Sequence, residues 1–477
     1  MTAAETSQQI VQRIGLIGGP VAALAFAFFG GSGLEPDARA VLAVAILMAF
    51  WWVSEAVPVG ASSLLPLVLL PVFTSLPFAT VSAPYASNII YLFMGGMMLG
   101  LALERSGLHR RIALHMLVMV GASPRRLVGA FMAVTALFSM WLSNSATTMM
   151  LAPIGLSVVQ GMRDEGREDR DFGAALMLGI AYSASIGGMG TPVGTPTNLV
   201  MTGFVKTQYG LDVGMLEWMR MALPVLVILL PLAWAWLCFG AMRVTATELP
   251  GGRQLLRERL LALGPTRAAE WRAGLVFAAV AVCWISRPVL SRALGLPGLD
   301  DGVIALAGAV LLFVLPNGAG RGGRLMDWES AKALPWDILL LLGAGLSLAA
   351  SISASHADAP ISEWLAGDAI PAGLVLMFAL SALIVFSGEL TSNVAAAAAI
   401  MPVLAALCSA RELEPLTVFM IAILSASCGF MLPVATPPNA IAYSSGLVRM
   451  PQMLRAGLGL NIIGITVIVS WIWWGVA

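Results

Sequence analysis

Two short polar runs interrupt otherwise oily segments, and their residue types define the chemistry open to this chain. The first is Ser143-Asn144-Ser145 within FSMWLSNSATTMMLAPI. The second is Ser392-Asn393 within TSNVAAAAAIMP, with Val394 in third place. Ser143-Asn144 stands to Pro153 as Ser392-Asn393 stands to Pro402, so the runs read as copies. Each is followed by a Gly/Pro-rich interruption, GMGTPVGTPTN and GFMLPVATPPN, in which Pro192, Thr195, Pro196 and Asn198 match Pro433, Thr436, Pro437 and Asn439. Hydroxyls and amides both donate and accept. Half-helix N-termini at such breaks offer unpaired N–H groups and a positive dipole end to an anion, while unwound carbonyls and hydroxyls are hard oxygen ligands for a small cation. Neither tip carries Lys or Arg. An anion held by neutral donors needs accompanying cations to offset its charge, which is a physical reason for coupling. A single Ser, Thr or Asn in a membrane helix ordinarily bonds a neighbouring helix and does nothing else. Thr135 keeps that reading, and recurrence of the pair with its break lifts the others out of it.

The elements that must position these residues follow from composition. The chain is 59% hydrophobic and 11% charged over 477 residues, with a mean hydropathy of +0.88. It reads as an all-α polytopic membrane protein, since helices are the spans available to apolar runs of about 20 residues. The net charge is zero and no basic tract exists, which argues against nucleic acid as a partner. Cys238, Cys283, Cys408 and Cys428 lack the spacing of a disulfide framework or a zinc site. The two lysines, Lys206 and Lys332, follow no Gly-rich loop, and H-E-x-x-H and G-x-S-x-G are missing, so neither an enzyme nor an ATP motor is encoded. No organic cofactor is expected. The N-terminal apolar run after Arg13 reads as a first helix, not a removed signal.

Apolar periods place spans near 14–30, 38–54, 58–74, 88–103, 218–242, 272–290, 302–316, 335–352 and 454–475. Residues 106–124 and 354–371 are read as helices lying in the interface. Residues 125–160 and 372–408 form two hairpins that enter and leave the membrane on one side, and 173 onward and 416–447 form two broken spans. The total is about eleven spans and two re-entrant hairpins in an inverted repeat. Lys and Arg then cluster on the side of the N-terminus, which places that terminus in the cytoplasm of a bacterial inner membrane. Glu389, four residues before Asn393, is expected to cap a half-helix or pair locally in preference to carrying a proton. Trp51, Trp52, Trp471, Trp473 and Trp474 read as interfacial belt residues, and Glu55 and Glu104 as interfacial acids.

The paired tips SNSATTMMLAPI and SNVAAAAAIMP, with the breaks TPVGTPTN and LPVATPPNAIAYSSG, closely resemble the divalent anion/sodium symporter family of dicarboxylate, citrate and sulfate carriers. The resemblance covers nearly the whole chain. It implies a homodimer embedded in lipid and working as an elevator. Residues 1–124 and 272–371 would form a scaffold with horizontal arms, 125–242 and 372–477 a sliding transport domain, and 243–271 a cytoplasmic connector. It also implies one sodium site at Ser139, Ser143, Asn144 and the Gly188 region, and another at Asn393, Thr391 and the Gly429 region. The small anionic substrate would lie among Ser143, Asn144, Ser145, Ser392, Asn393, Val394, Thr195, Pro196, Thr436 and Pro437. The chain departs from the family where Ser145 and Val394 replace the usual threonines and where Gly388 replaces a hydroxyl. The expected function is sodium-coupled symport of a di- or tricarboxylate, with a four-carbon dicarboxylate favoured. An exchanger, which would carry cationic side chains at the tips, and a sulfate-type carrier are the rivals on the same fold, ahead of proton coupling or a channel.

Overall fold

The computed structural model describes residues 3–30, 33–120, 123–164, 170–244, 252–319, 322–357, 363 and 373–475. The described residues form helices and turns, with one isolated antiparallel bridge between Pro316 and Arg324 and no strand. Among the described residues eight helices are long and apolar enough to cross a membrane: Val11–Phe29, Pro36–Ser54, Phe78–Ser106, Met215–Ala241, Ala268–Leu294, Trp336–Ala354, Asn393–Arg411 and Met450–Gly475. All but Asn393–Arg411 match full spans expected from the sequence. The expected spans missing from this set have a physical reason. Val59–Phe73 and Asp301–Val314 are short, and the other two are interrupted, as Arg170–Gly188 with Pro196–Tyr209 and Pro415–Ala426 with Pro437–Ser444.

Both polar tips are turns between helices. Pro124–Ser139 turns through residues 140–143 into Asn144–Asp164, and Gly373–Gly388 turns through 389–392 into Asn393–Arg411. The leading helix of each hairpin has 16 residues, roughly 24 Å of rise, which falls short of the ~30 Å hydrocarbon core. Each packs on the first piece of the following broken helix, Pro124–Ser139 on Arg170–Gly188 and Gly373–Gly388 on Pro415–Ala426. In the first pair the backbones meet at Gly187, where a Cβ would stand 2.4 Å from the Ala136 carbonyl oxygen. Small residues permit such close crossings where packing and not water drives association.

The remaining helices pack beside these pairs. Asn88–Ser106 crosses Asp301–Val314 closely enough that a Cβ on Gly95 would lie 2.7 Å from the Ala305 backbone. At Gly107, φ is +81° and the chain turns sharply into the separate helix Leu108–Val120. This is the first expected interfacial helix. The second, 354–371, lies almost wholly outside the described residues. The expected amphipathic piece of the connector is the helix Gly252–Ala262. Among the described residues all four cysteines are free.

Leu108–Val120 is fastened by a buried ion pair. Arg111 Nε lies 2.8 Å from Glu270 Oε2, Nη2 lies 3.2 Å from Oε1, and Nη1 donates to the Gly264 carbonyl at 2.8 Å. The tryptophans correct one expectation: Trp52 is fully buried, and the Trp471 indole donates to the Met221 carbonyl at 3.1 Å, so both are packing residues. Trp474 is 77% exposed, as a belt residue should be. Glu55 and Glu104, expected as interfacial acids, are exposed at the C-terminal ends of Pro36–Ser54 and Asn88–Ser106. Removing one partner of a buried pair leaves an uncompensated charge, at a cost of about 3–5 kcal/mol. Arg111→Gln should therefore lower the thermal unfolding midpoint in detergent strongly, whereas Arg105→Gln, which breaks the exposed pair with Asp327, should leave it almost unchanged.

Candidate functional site

The two tips and the two breaks meet at one cavity of about 620 Å³. Ser143, Asn144, Ser145, Thr195, Pro196, Ser392, Asn393, Val394, Thr436 and Pro437 all line it, so every residue expected to touch substrate shares one wall system. Opposite them stand Phe93, Met97 and Leu101 of Asn88–Ser106 and Leu334, Pro335 and Ile338 around the start of Trp336–Ala354. Glu55 and Glu104 complete the lining, and no Lys, Arg or His is part of it among the described residues.

Four helices begin at this cavity: Asn144–Asp164, Pro196–Tyr209, Asn393–Arg411 and Pro437–Ser444. Their first-turn N–H groups have no intrahelical acceptor, and their dipoles present positive ends. The N-cap threonines of the two breaks have nearly the same backbone angles. Thr195 has φ −142°, ψ 143° and Thr436 has φ −145°, ψ 148°, each followed by Pro at the first helical position. Proline has no N–H, so each break lacks its first donor and the hairpin helices offer more N–H groups than the breaks do. The Val394 N–H belongs to such a first turn, so the valine side chain leaves a backbone donor in place. At the first tip the Ala146 N–H is already taken by Ser143 Oγ at 3.2 Å.

An asparagine braces each break. Asn198 Nδ2 donates to the Gly188 carbonyl at 2.9 Å and the Thr191 carbonyl at 2.8 Å; Asn439 Nδ2 donates to Gly429 and Leu432, both at 2.9 Å. Both asparagines are fully buried. The sequence aligned them without assigning them a role, and their identical place after Thr-Pro-x was the available signal.

The tips differ. In the first, Ser139 Oγ donates to Asn144 Oδ1 at 2.6 Å, and the amide packs on Gly188, where a Cβ would lie 2.6 Å from Oδ1. In the second, Gly388 takes the place of Ser139, and Asn393 Oδ1 is buried without a hydrogen-bond partner among the described residues. A Cβ at Gly388 would lie 3.3 Å from that oxygen and one at Gly429 would lie 3.9 Å from Asn393 Nδ2. An orphaned amide oxygen beside unwound backbone suits a small hard cation. Of the expected cation ligands, Ser143, Asn144 and Asn393 line the cavity, and Ser139, Gly188 and Gly429 lie behind the asparagines. Thr391 is drawn away, its hydroxyl donating to the Ser387 carbonyl at 3.1 Å.

Glu389 acts locally, as the sequence reading favoured. Its carboxylate accepts from the N–H groups of Phe430 at 2.8 Å, Met431 at 2.9 Å and Leu432 at 3.0 Å, and from Asn461 Nδ2 at 2.7 Å. The second tip is thereby tied to the second break and to the last helix. Asn461 was not legible as a site residue. At the first break the corresponding ties are Thr191 Oγ1 donating to the Met140 carbonyl and the Trp218 indole donating to the Met189 carbonyl at 2.9 Å. Glu389→Gln puts an NH2 group among donors, and should lower both the thermal midpoint and sodium-driven uptake. A proton-carrying glutamate would leave the midpoint unchanged. Gly388→Ser supplies the donor that Asn393 lacks, worth about 1 kcal/mol, and should raise the midpoint measured without sodium.

The sodium:sulfate symporter transmembrane region matches residues 20–477. The sodium-dependent dicarboxylate transporter SdcS of Staphylococcus saprophyticus is 37% identical, over 97% of this chain and 91% of that protein. SdcS of Staphylococcus aureus strain RF122 / ET3-1 is 36% identical, over 96% and 90%. Among solved structures, the YdaH transporter of Alcanivorax borkumensis has a similar fold, with a TM-score of 0.60 at 15% identity over 92% of this chain and 99% of that one. MtrF of Neisseria gonorrhoeae does so as well, with a TM-score of 0.57 at 13% identity over 95% and 97%. With a family match across nearly all of its length and full-length relatives above the identity at which kinship is secure, the chain belongs to the sodium:sulfate symporter family, the divalent anion/sodium symporters.

Proposed function

We propose that this protein is a secondary active transporter that couples uptake of a small dicarboxylate, of four carbons by preference, to sodium. The observation that carries this reading is the single cavity walled by both tips and both breaks, with four helix N-termini opening on it and no cationic side chain. Anion binding there rests on dipoles and neutral donors, so co-transported cations must supply the offsetting charge. Asn144 and Asn393 each line the cavity while the amide stands against glycine backbone at Gly188 and at Gly429, and so each can serve both cargoes. Sodium held at the tips would order the same side chains that meet the carboxylates. The names of the full-length relatives support dicarboxylate over sulfate as substrate, and the missing cationic residues support symport over exchange.

The movement we infer is an elevator. The hairpins, re-entrant from opposite faces, and the broken helices (125–242 and 372–477) would slide together against a dimerised scaffold (1–124 and 272–371), with residues 243–271 as a cytoplasmic connector and the N-terminus in the cytoplasm of an inner membrane. A binding cavity whose walls come from both groups of helices supports this, because sliding one group past the other changes the side from which substrate enters. Glu55 and Glu104, on helix ends of the proposed cytoplasmic side, repel an anion and so favour its departure inward.

The test is uptake of labelled succinate, citrate and sulfate into proteoliposomes under an imposed sodium gradient, then under a proton gradient alone, then with internal counter-substrate. Succinate uptake should require sodium; equal rates with and without it would end the symport reading. Loss of a donor to a charged group costs about 1.5–3 kcal/mol, roughly 10- to 150-fold in affinity. Asn144→Ala and Asn393→Ala should each weaken uptake by that order in protein that still elutes as a folded species.

A further inference from the structure

A second cavity, of about 460 Å³, lies beside the first, lined by Arg110, Arg259, His109, Met150, Pro153 and Ile154. Its walls are Leu108–Val120, Asn144–Asp164 and Gly252–Ala262, and the last of these packs on the other two. We propose that this pocket binds the phosphate headgroup of an anionic phospholipid.

Arg110 lies on the helix face shared by Ala113, Leu114 and Leu117, all fully buried, yet it is itself exposed. That helical spacing aims its side chain along the packed face, where it lines the open pocket. It makes no hydrogen bond or ion pair among the described residues. Arg259 is held on the wall by one bond, Nη2 donating to Ser157 Oγ at 2.6 Å, with its other N–H groups left over. Two guanidinium groups, one fixed and one unspent, match a group with several acceptor oxygens and at least one negative charge. Burial lowers the His109 pKa below the ordinary imidazole value, against the raising effect of its bond to the Leu103 carbonyl, so the pocket's positive charge comes from the arginines. Glu104 stands at the wall shared with the central cavity and separates the two by charge.

The surroundings favour a lipid over a soluble anion. The opposite face of Leu108–Val120 exposes Ile112 (37%) and Met119 (80%), and the neighbouring Leu261 is 78% exposed. These side chains face away from the pocket, so the two helices that carry Arg110 and Arg259 meet apolar surroundings on their far sides, within reach of the headgroups that such a pocket can seat. A seated headgroup would touch Met150, Pro153 and Ile154 on the helix that begins at Asn144, and would tie that helix to Leu108–Val120. Its effect on transport rests on the sliding mechanism proposed above; the binding itself does not.

Detergent-solubilised protein would be titrated with phosphatidylglycerol, with phosphatidylcholine, and with inorganic phosphate, reading retained lipid by native mass spectrometry and the shift in thermal midpoint. Phosphatidylglycerol should be retained and should raise the midpoint, and phosphatidylcholine should do neither. Arg110→Gln with Arg259→Gln should weaken retention about tenfold or more, Arg110→Gln alone should weaken it without unfolding, and the exposed Arg126→Gln should retain lipid as the parent does. Wild-type retention in the double variant would overturn the site. Equal stabilisation by inorganic phosphate would overturn the lipid assignment in favour of a soluble anion. Uptake in vesicles with and without phosphatidylglycerol is a separate readout: loss of its lipid dependence with retention intact would count against the sliding mechanism alone.

Discussion

Interrupted backbone in an apolar medium is the constraint on which the rest of the structure depends. A helix broken between Gly188 and Pro196, or between Ala426 and Pro437, exposes carbonyls and N–H groups that an apolar medium cannot satisfy. The fold answers with buried asparagines that bridge each break from below, each bonding two carbonyls at once. Once braced, the breaks can point two half-helix N-termini at a common space, and the hairpin tips supply two more. The small residues that let Pro124–Ser139 approach Arg170–Gly188 serve the same end, since only close crossings bring the tips to the breaks.

The chemistry of the cavity follows from that arrangement. Around the tips and breaks its positive potential comes from aligned peptide dipoles and its donors from neutral groups, and the charged side chains on the lining are the acids Glu55 and Glu104. The arginines near the proposed cytoplasmic side are used elsewhere: Arg111 in the ion pair that fastens Leu108–Val120 to Ala268–Leu294, Arg259 on the hairpin helix at Ser157. Charge fixes the frame, and neutral polarity forms the site.

Much of this was legible in the sequence for a definite reason. Repeat, break and tip are local patterns, and copies of Ser-Asn and Thr-Pro-x-Asn survive in linear order, so all the residues expected at the substrate site do line one cavity. What was not legible depends on distant partners. Glu389 bonds residues 430–432 and Asn461, and no local pattern announces that a membrane carboxylate will be absorbed by backbone N–H groups on another element. Trp52 was misread because an aromatic at a helix end looks alike whether it meets lipid or protein. The span count differed because short and interrupted helices carry the hydropathy of full ones.

The ties around the second break limit how far the two halves are equivalent. Its two halves share a plan, but the second relies on a carboxylate from its tip and an amide from the last helix, whereas the first relies on a threonine, a tryptophan and a serine-asparagine pair. A tie residue moved from one half to the matching place in the other would stand without its partner: symmetric in outline, the halves do not have interchangeable parts.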